Sequence, residues 1–208
     1  MSDAQDHPQT YLISPPEFDL STFPAQLAAC LDSTEIACVR LALATKDESR
    51  IAKAADALRE VTHERDVALV IDSHIMMVER LGLDGVHLTD GARSVRKVRK
   101  DLGEDAIVGC YCTNSRHDGM TAGELGADYI SFGPVGETPL GDGRQAPLDL
   151  FEWWSLMIEV PVVAEGALNA DLIRQLAPHT DFFGIGDEIW SDEAPAKVLT
   201  GLRAAMLG

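Results

Sequence analysis

Leu81-Gly82-Leu83-Asp84-Gly85-Val86-His87 carries the repeat from which the architecture follows. A helical apolar pattern ends at Leu81, a glycine and an aspartate turn the chain, and a short apolar run begins. Two later stretches echo it: Leu125-Gly126-Ala127-Asp128-Tyr129-Ile130-Ser131 and Pro178-His179-Thr180-Asp181-Phe182-Phe183-Gly184. Glycine closes a helix by accepting left-handed dihedrals, in two of the three cases. Aspartate is a turn residue that bonds nearby backbone. Asp84, Asp128 and Asp181 are therefore read as fold residues at the start of strands.

The same alternation of apolar run and amphipathic stretch fills the chain. The runs begin near Tyr11, Ile36, Val67, Gly85, Ile107, Tyr129, Val160 and Phe182. Each is followed by helical spacing, clearest from Glu48 to His63 through Ile51, Ala54, Ala55, Leu58 and Val61. Eight strand-helix units in about 200 residues is the count, and near the lower size, of a (β/α)8 TIM barrel. An open doubly wound sheet is the competing architecture. It calls for a glycine-rich turn after the first strand, where this chain has Ser14-Pro15-Pro16-Glu17. The expectation is one α/β barrel domain over residues 10–208, with residues 1–9 as a flexible tail.

Composition narrows the partners. Among 208 residues there are 17 basic and 34 acidic side chains, a formal charge of −17. Such a chain offers no basic footprint for nucleic acid or an anionic membrane. No apolar stretch of about 18 residues predicts a membrane span, and Met1 to Thr10 lacks the pattern of a signal peptide, so a cytoplasmic protein is expected. Cys30, Cys38, Cys110 and Cys112 do not follow zinc spacing and read as buried thiols.

Function in such a barrel sits at the C-terminal ends of the strands. Asp72 and His74 follow the third run and can serve as acid-base groups; equally, they or Ser73 can cap the next helix. His87 ends the fourth run and Asp90 lies in a turn beyond it, with Thr113 after the fifth. Glu165, closing an otherwise apolar run, should face the pocket. Gly166 and the pair Gly184 and Gly186 mark loops after the seventh and eighth runs, where backbone N–H groups bind phosphate in barrels of this kind. Asn169 can cap the helix that follows Gly166, whereas Asp187 and Glu188 beside the second loop oppose an anion. The long glycine-rich loop after the sixth run carries Thr138 and Arg144 as anion contacts.

Asp84-Gly85-Val86-His87-Leu88, Ile107-Val108-Gly109, and the stretch from Gly126 through Phe132 to Gly133-Pro134-Val135-Gly136-Glu137-Thr138-Pro139 resemble the thiamine-phosphate synthase and thiazole tautomerase superfamily. Val160-Pro161-Val162-Val163-Ala164-Glu165-Gly166 fits its seventh strand, and the likeness spans roughly residues 36–190. The resemblance implies a (β/α)8 barrel, often a homodimer. Its implied reaction joins hydroxymethylpyrimidine diphosphate to thiazole phosphate with magnesium, releasing pyrophosphate. Carried over by position, its machinery is altered. The diphosphate-handling segment reads Arg40-Leu41-Ala42-Leu43-Ala44, without lysine. The metal positions read Ser73 and Ala92, with Asp90 nearby. The fifth-strand serine falls on Tyr111. The lysine of the sixth loop falls near Gly141, with Arg144 the nearby cation. The seventh-strand glycine pair reads Gly166-Ala167, and the tautomerase histidine falls on Pro134.

Three functions follow as expectations: a thiamine-phosphate synthase with a site rearranged onto Asp90 and Arg144; a non-catalytic homologue that binds a phosphorylated or thiamine-related small molecule; or an enzyme of other chemistry using Asp72, His74 or Glu165. No metal ligand set is read from the residues, although the resemblance implies magnesium.

Overall fold

The computed structural model describes residues 7–138 and 143–208. Eight strands close a barrel in sequence order. They are β1 (Gln9–Ile13), β2 (Ile36–Leu41), β3 (Ala68–Asp72), β4 (Gly85–Leu88), β5 (Ile107–Tyr111), β6 (Tyr129–Phe132), β7 (Val162–Glu165) and β8 (Phe182–Ile185). Every neighbouring pair is parallel, including β8 with β1. The outer helices are α1 (Phe23–Ser33), α2 (Glu48–His63), α3 (Ile75–Leu81), α4 (Val95–Leu102), α5 (Arg116–Glu124), α6 (Leu148–Met157), α7 (Ala170–Leu176), α8 (Asp187–Trp190) and α9 (Pro195–Met206). Strand β1 begins at Gln9, inside the tail expected over residues 1–9. Pro8 is buried, and its carbonyl accepts a hydrogen bond from Arg203. Residues 1–6 of that tail, and Gly141, lie outside the described residues.

Parallel strands are covered on both faces, which is why they read as unbroken apolar runs. Outward residues such as Val39, Leu69, Val86, Val108, Ile130 and Phe183 pack beneath the helices in the main core. Tyr11, Cys38, Val70, Tyr129 and Val163 form a second cluster inside the barrel. Room for Tyr129 comes from Gly109: a Cβ there would lie 2.0 Å from the tyrosine Cζ. The four cysteines are buried and free, and the Cys110 and Cys112 sulfurs sit 3.7 Å apart. Of the tryptophan pair on α6, Trp154 is buried and donates to the Val160 carbonyl at 2.8 Å. Trp153 lies under the Arg116 guanidinium, 4.8 Å from its ring centroid.

The three echoed aspartates do one job three times. Asp84 Oδ2 accepts from the Leu69 N–H at 2.7 Å, Asp128 Oδ2 from Val108 at 2.7 Å, and Asp181 Oδ2 from Val162 at 2.8 Å. In return each aspartate's own N–H donates to the carbonyl of that same residue. Each aspartate thus pins the start of the preceding strand (β3, β5 or β7) while leading into the next one. The motif repeats every second strand, at the end of the barrel opposite the site.

Among the described residues no helix is long and apolar enough to cross a membrane.

Candidate functional site

Side chains alternate along each strand, so every second residue points into the barrel. On β2 the inward positions are Cys38 and Arg40. Arg40 sits at the bottom of the mouth and collects the inward groups of three other strands. Its Nη1 donates to Glu165 Oε2 on β7 at 2.9 Å and to His87 Nε2 on β4 at 2.9 Å. Its Nε lies 3.3 Å from Asp72 Oδ1 on β3, close enough to pair as ions but not aligned as a hydrogen bond. Glu165 Oε1 accepts from the Ser131 hydroxyl at 3.1 Å.

Arginine has donors only, so His87 Nε2 accepts and its proton sits on Nδ1. That Nδ1–H donates to the Tyr129 hydroxyl at 3.0 Å, and Tyr129 meets Tyr11 at 2.7 Å. The result is one hydrogen-bonded chain from Ser131 through Glu165, Arg40, His87 and Tyr129 to Tyr11.

Burial sets its electrostatics. Burial, reinforced by the Arg40 charge, drops His87 well below its ordinary value, so the imidazole is neutral. Burial raises both tyrosines well above theirs. Burial opposes the Arg40 charge, but Glu165 and Asp72 outweigh it and the guanidinium is held protonated. Asp72 is pushed up to about 6, by burial first, with Arg40 opposing and Glu165 adding to the rise. Arg40 is therefore a cation already compensated by two carboxylates.

Above this floor opens a cavity of about 650 Å³, with Ile13, Pro16, Ala42 and Pro134 among its apolar walls. Glu165, His87, Thr138, Gly166, Gly184 and Gly186 line it. Among the described lining residues Arg40 is the only permanent cation. Arg144 is exposed and is not one of them. Asp90 and Thr113 instead share a lateral recess of about 630 Å³ between the β4 and β5 loops. Grouped with His87 as pocket residues on strand order, these two instead line the recess, which meets the main cavity at Thr89 and Tyr111. Asp72 does not cap α3; its side chain turns inward to Arg40, and the residue before α3 is His74. The His74 side chain is half-buried and has no hydrogen-bond partner among the described residues.

The loops after β7 and β8 differ from a simple phosphate cradle. The Gly166 carbonyl accepts from Val135 and Gly136, tying the β6 loop to β7. Asn169 caps α7, accepting from Asp171 and Leu172 at 3.0 and 2.9 Å. The Gly186 N–H donates to Glu188 Oε2 at 2.7 Å, and the Leu168 N–H donates to Glu188 Oε1 at 2.9 Å.

The residues at the implied magnesium positions do not fit that ion. Ser73 Oγ is bonded to Thr89 Oγ1 at 2.9 Å, Ala92 offers no ligand, and Asp90 accepts from Ser94 at 2.6 Å in the lateral recess. Magnesium on a diphosphate takes hard oxygen ligands in octahedral array, usually with carboxylates. Among the described residues no group of three His, Cys, Asp or Glu gathers to hold a metal.

Arg40, Tyr11, Tyr129, Ser131 and the anchoring role of Glu188 were not singled out by the sequence reading. An arginine inside an apolar run, two residues from Cys38 on the same face, was the available signal for Arg40.

A family model described as thiamine monophosphate synthase matches residues 10–184. The thiamine-phosphate synthase of Rhodospirillum centenum is 37% identical across 95% of this chain and 97% of that protein. The thiamine-phosphate synthase of Erythrobacter litoralis is 34% identical across 95% of each. A solved thiamine phosphate pyrophosphorylase from Pyrococcus furiosus superposes with a TM-score of 0.81 at 21% identity, covering 96% of this chain and 95% of that one. The solved structure shares the fold, and the sequence matches go further: the chain belongs to the thiamine monophosphate synthase family.

Proposed function

We propose that the barrel mouth binds a heterocycle of the thiamine pathway in a neutral or cationic form, and does not couple a pyrimidine diphosphate to thiazole phosphate. The pairing of Arg40 with Glu165 and Asp72 carries this reading. Loss of a diphosphate leaving group needs uncompensated positive charge or a metal aimed at the developing anion. Here the arginine on the cavity floor is already neutralised by two carboxylates, and the implied metal positions lack carboxylate ligands. The remaining walls suit a flat ring: apolar sides, with Glu165 and His87 below to orient polar edges.

Calorimetric titration of the unphosphorylated thiazole alcohol, the pyrimidine alcohol and thiamine tests it. Saturable binding of one of them, weakened by Ala42→Trp, is expected, because an indole at Ala42 takes up part of the cavity wall against which a ring would lie. Absence of binding by all three contradicts the reading. The competing reading, a synthase, is favoured by the 37% identity to a relative of that name. Magnesium-dependent formation of thiamine phosphate would establish it in place of the first.

A further inference from the structure

Basic residues are scarce in this chain, 17 against 34 acidic ones, yet five of them fall between Arg93 and Lys100. The fold uses one. Arg99 donates to the Gly126 and Ala106 carbonyls and pairs with Asp128. The other four, Arg93, Arg96, Lys97 and Lys100, are exposed. Arg93 ends the short turn Gly91–Arg93 just before α4, and the rest lie on the helix. Their spacing of three, four and seven residues sets them along one face. Val95 and Val98 form the buried face of the same helix.

Among the described residues none of the four pairs with a carboxylate or makes a side-chain hydrogen bond. Exposure is not the reason. Arg50, Arg116 and Arg174 are exposed as well, and each meets a carboxylate. The arrangement also works against the helix that carries it. Arg96 lies in the first turn, where the helix dipole disfavours a cation and no acidic residue is present. Lys100 follows Lys97 by three residues and Arg96 by four, so like charges meet on the face.

We infer that this face of α4 is a docking surface for an acidic segment of a partner protein, with carboxylates spread over about 10 Å, the length of the stripe. Charge complementarity selects that occupant. A carboxylate segment fits within the stripe and can be matched to it pair by pair. A nucleic-acid backbone carries its charge well past the stripe and onto a chain of net charge −17. Helices that bind anionic bilayers set apolar side chains beside their cations, and none of the large exposed hydrophobic residues belongs to α4. Arg93 also lines the recess that meets the main cavity at Thr89 and Tyr111, so a docked partner stands beside the mouth. Docking here does not depend on what the cavity binds.

The test follows the fluorescence anisotropy of a labelled oligoglutamate peptide titrated with the full chain. Wild type binds it saturably at low salt and releases it at high salt. Arg96→Glu combined with Lys97→Glu weakens binding by at least about tenfold, since two attractions become repulsions. Lys53→Glu combined with Lys197→Glu makes the same change in net charge on α2 and α9, and leaves affinity within about twofold. Arg96→Glu alone puts an acid in the first turn and four residues before Lys100, so the urea midpoint holds or rises. A lower midpoint would mean that the stripe serves the fold, and would overturn the proposal. No saturable binding by wild type overturns it too, and so does an equal loss in the Lys53 and Lys197 variant. Tighter binding of an oligodeoxythymidine of equal charge, or of phosphatidylserine vesicles, overturns the choice of an acidic protein segment.

Discussion

Arg40→Met is the substitution that most directly probes the floor of the site. Methionine keeps the unbranched stem as far as the arginine Nε but removes the guanidinium, its charge and every donor. It strands Glu165 Oε2 and His87 Nε2, each 2.9 Å from Arg40 Nη1, and Asp72 Oδ1, 3.3 Å from Nε. At an effective dielectric of about 20, a pair 2.9 Å apart attracts by about 6 kcal/mol before desolvation is subtracted. Side-chain exposures of 11% for Arg40 and 9% for Glu165 mean that water cannot replace the lost partner. Removing one member of such a buried pair costs about 3–5 kcal/mol. For a chain of this size, that lowers Tm by roughly 6–20 °C. The assay is urea unfolding followed by far-ultraviolet circular dichroism, with an unchanged m-value required for a clean comparison. Arg174→Met is the control, since its pair with Asp171 is solvent-exposed and should be worth under about 1 kcal/mol. Adding Glu165→Leu to Arg40→Met should recover part of the loss, because the stranded carboxylate is gone. A cost for Arg40→Met no larger than for Arg174→Met would refute the reasoning.

Asp72 gives a pH signature. Its folded value of about 6 exceeds the ordinary 3.8, so the folded state favours the protonated form. Its contribution is therefore most favourable below about pH 4 and is lost as pH rises to about 6, a change on the order of 3 kcal/mol. Asp72→Asn should flatten that part of the urea-midpoint profile, and parallel profiles would contradict the assignment. Asp128→Ala should cost about 1–3 kcal/mol in urea unfolding, because the Val108 N–H loses its acceptor at the start of β5; a cost near zero would show that water replaces it. Gly109→Ala should destabilise the fold by more than about 1 kcal/mol in the same assay, since its Cβ would meet the Tyr129 ring at 2.0 Å. Tyr129→Leu in the alanine background should relieve part of that strain.

The barrel was legible because its signal is periodic and local. Each run-plus-helix unit is complete within a short window, and the aspartate turns mark the same point of the cycle three times. The site was less legible. Glu165 stood out as a carboxylate ending an apolar run, and His87 as a polar residue within one. Arg40 did not, because parallel strands are apolar on both faces, so the run Ile36–Leu41 does not say which face looks inward. Glu188 read only as a charge beside a glycine loop. That its carboxylate closes on Leu168, twenty residues upstream, depends on how β7 and β8 lie side by side. Asp90 and Thr113 were placed by strand order alone, which does not report that they line a recess separate from the one holding His87 and Glu165.

The proposed absence of coupling chemistry in this member of the thiamine monophosphate synthase family has a direct test. The direct measurement incubates purified protein with hydroxymethylpyrimidine diphosphate, thiazole phosphate and magnesium, and detects thiamine phosphate and pyrophosphate by mass spectrometry. No product above the protein-free control is expected. Product that accumulates in proportion to protein and requires magnesium would contradict it.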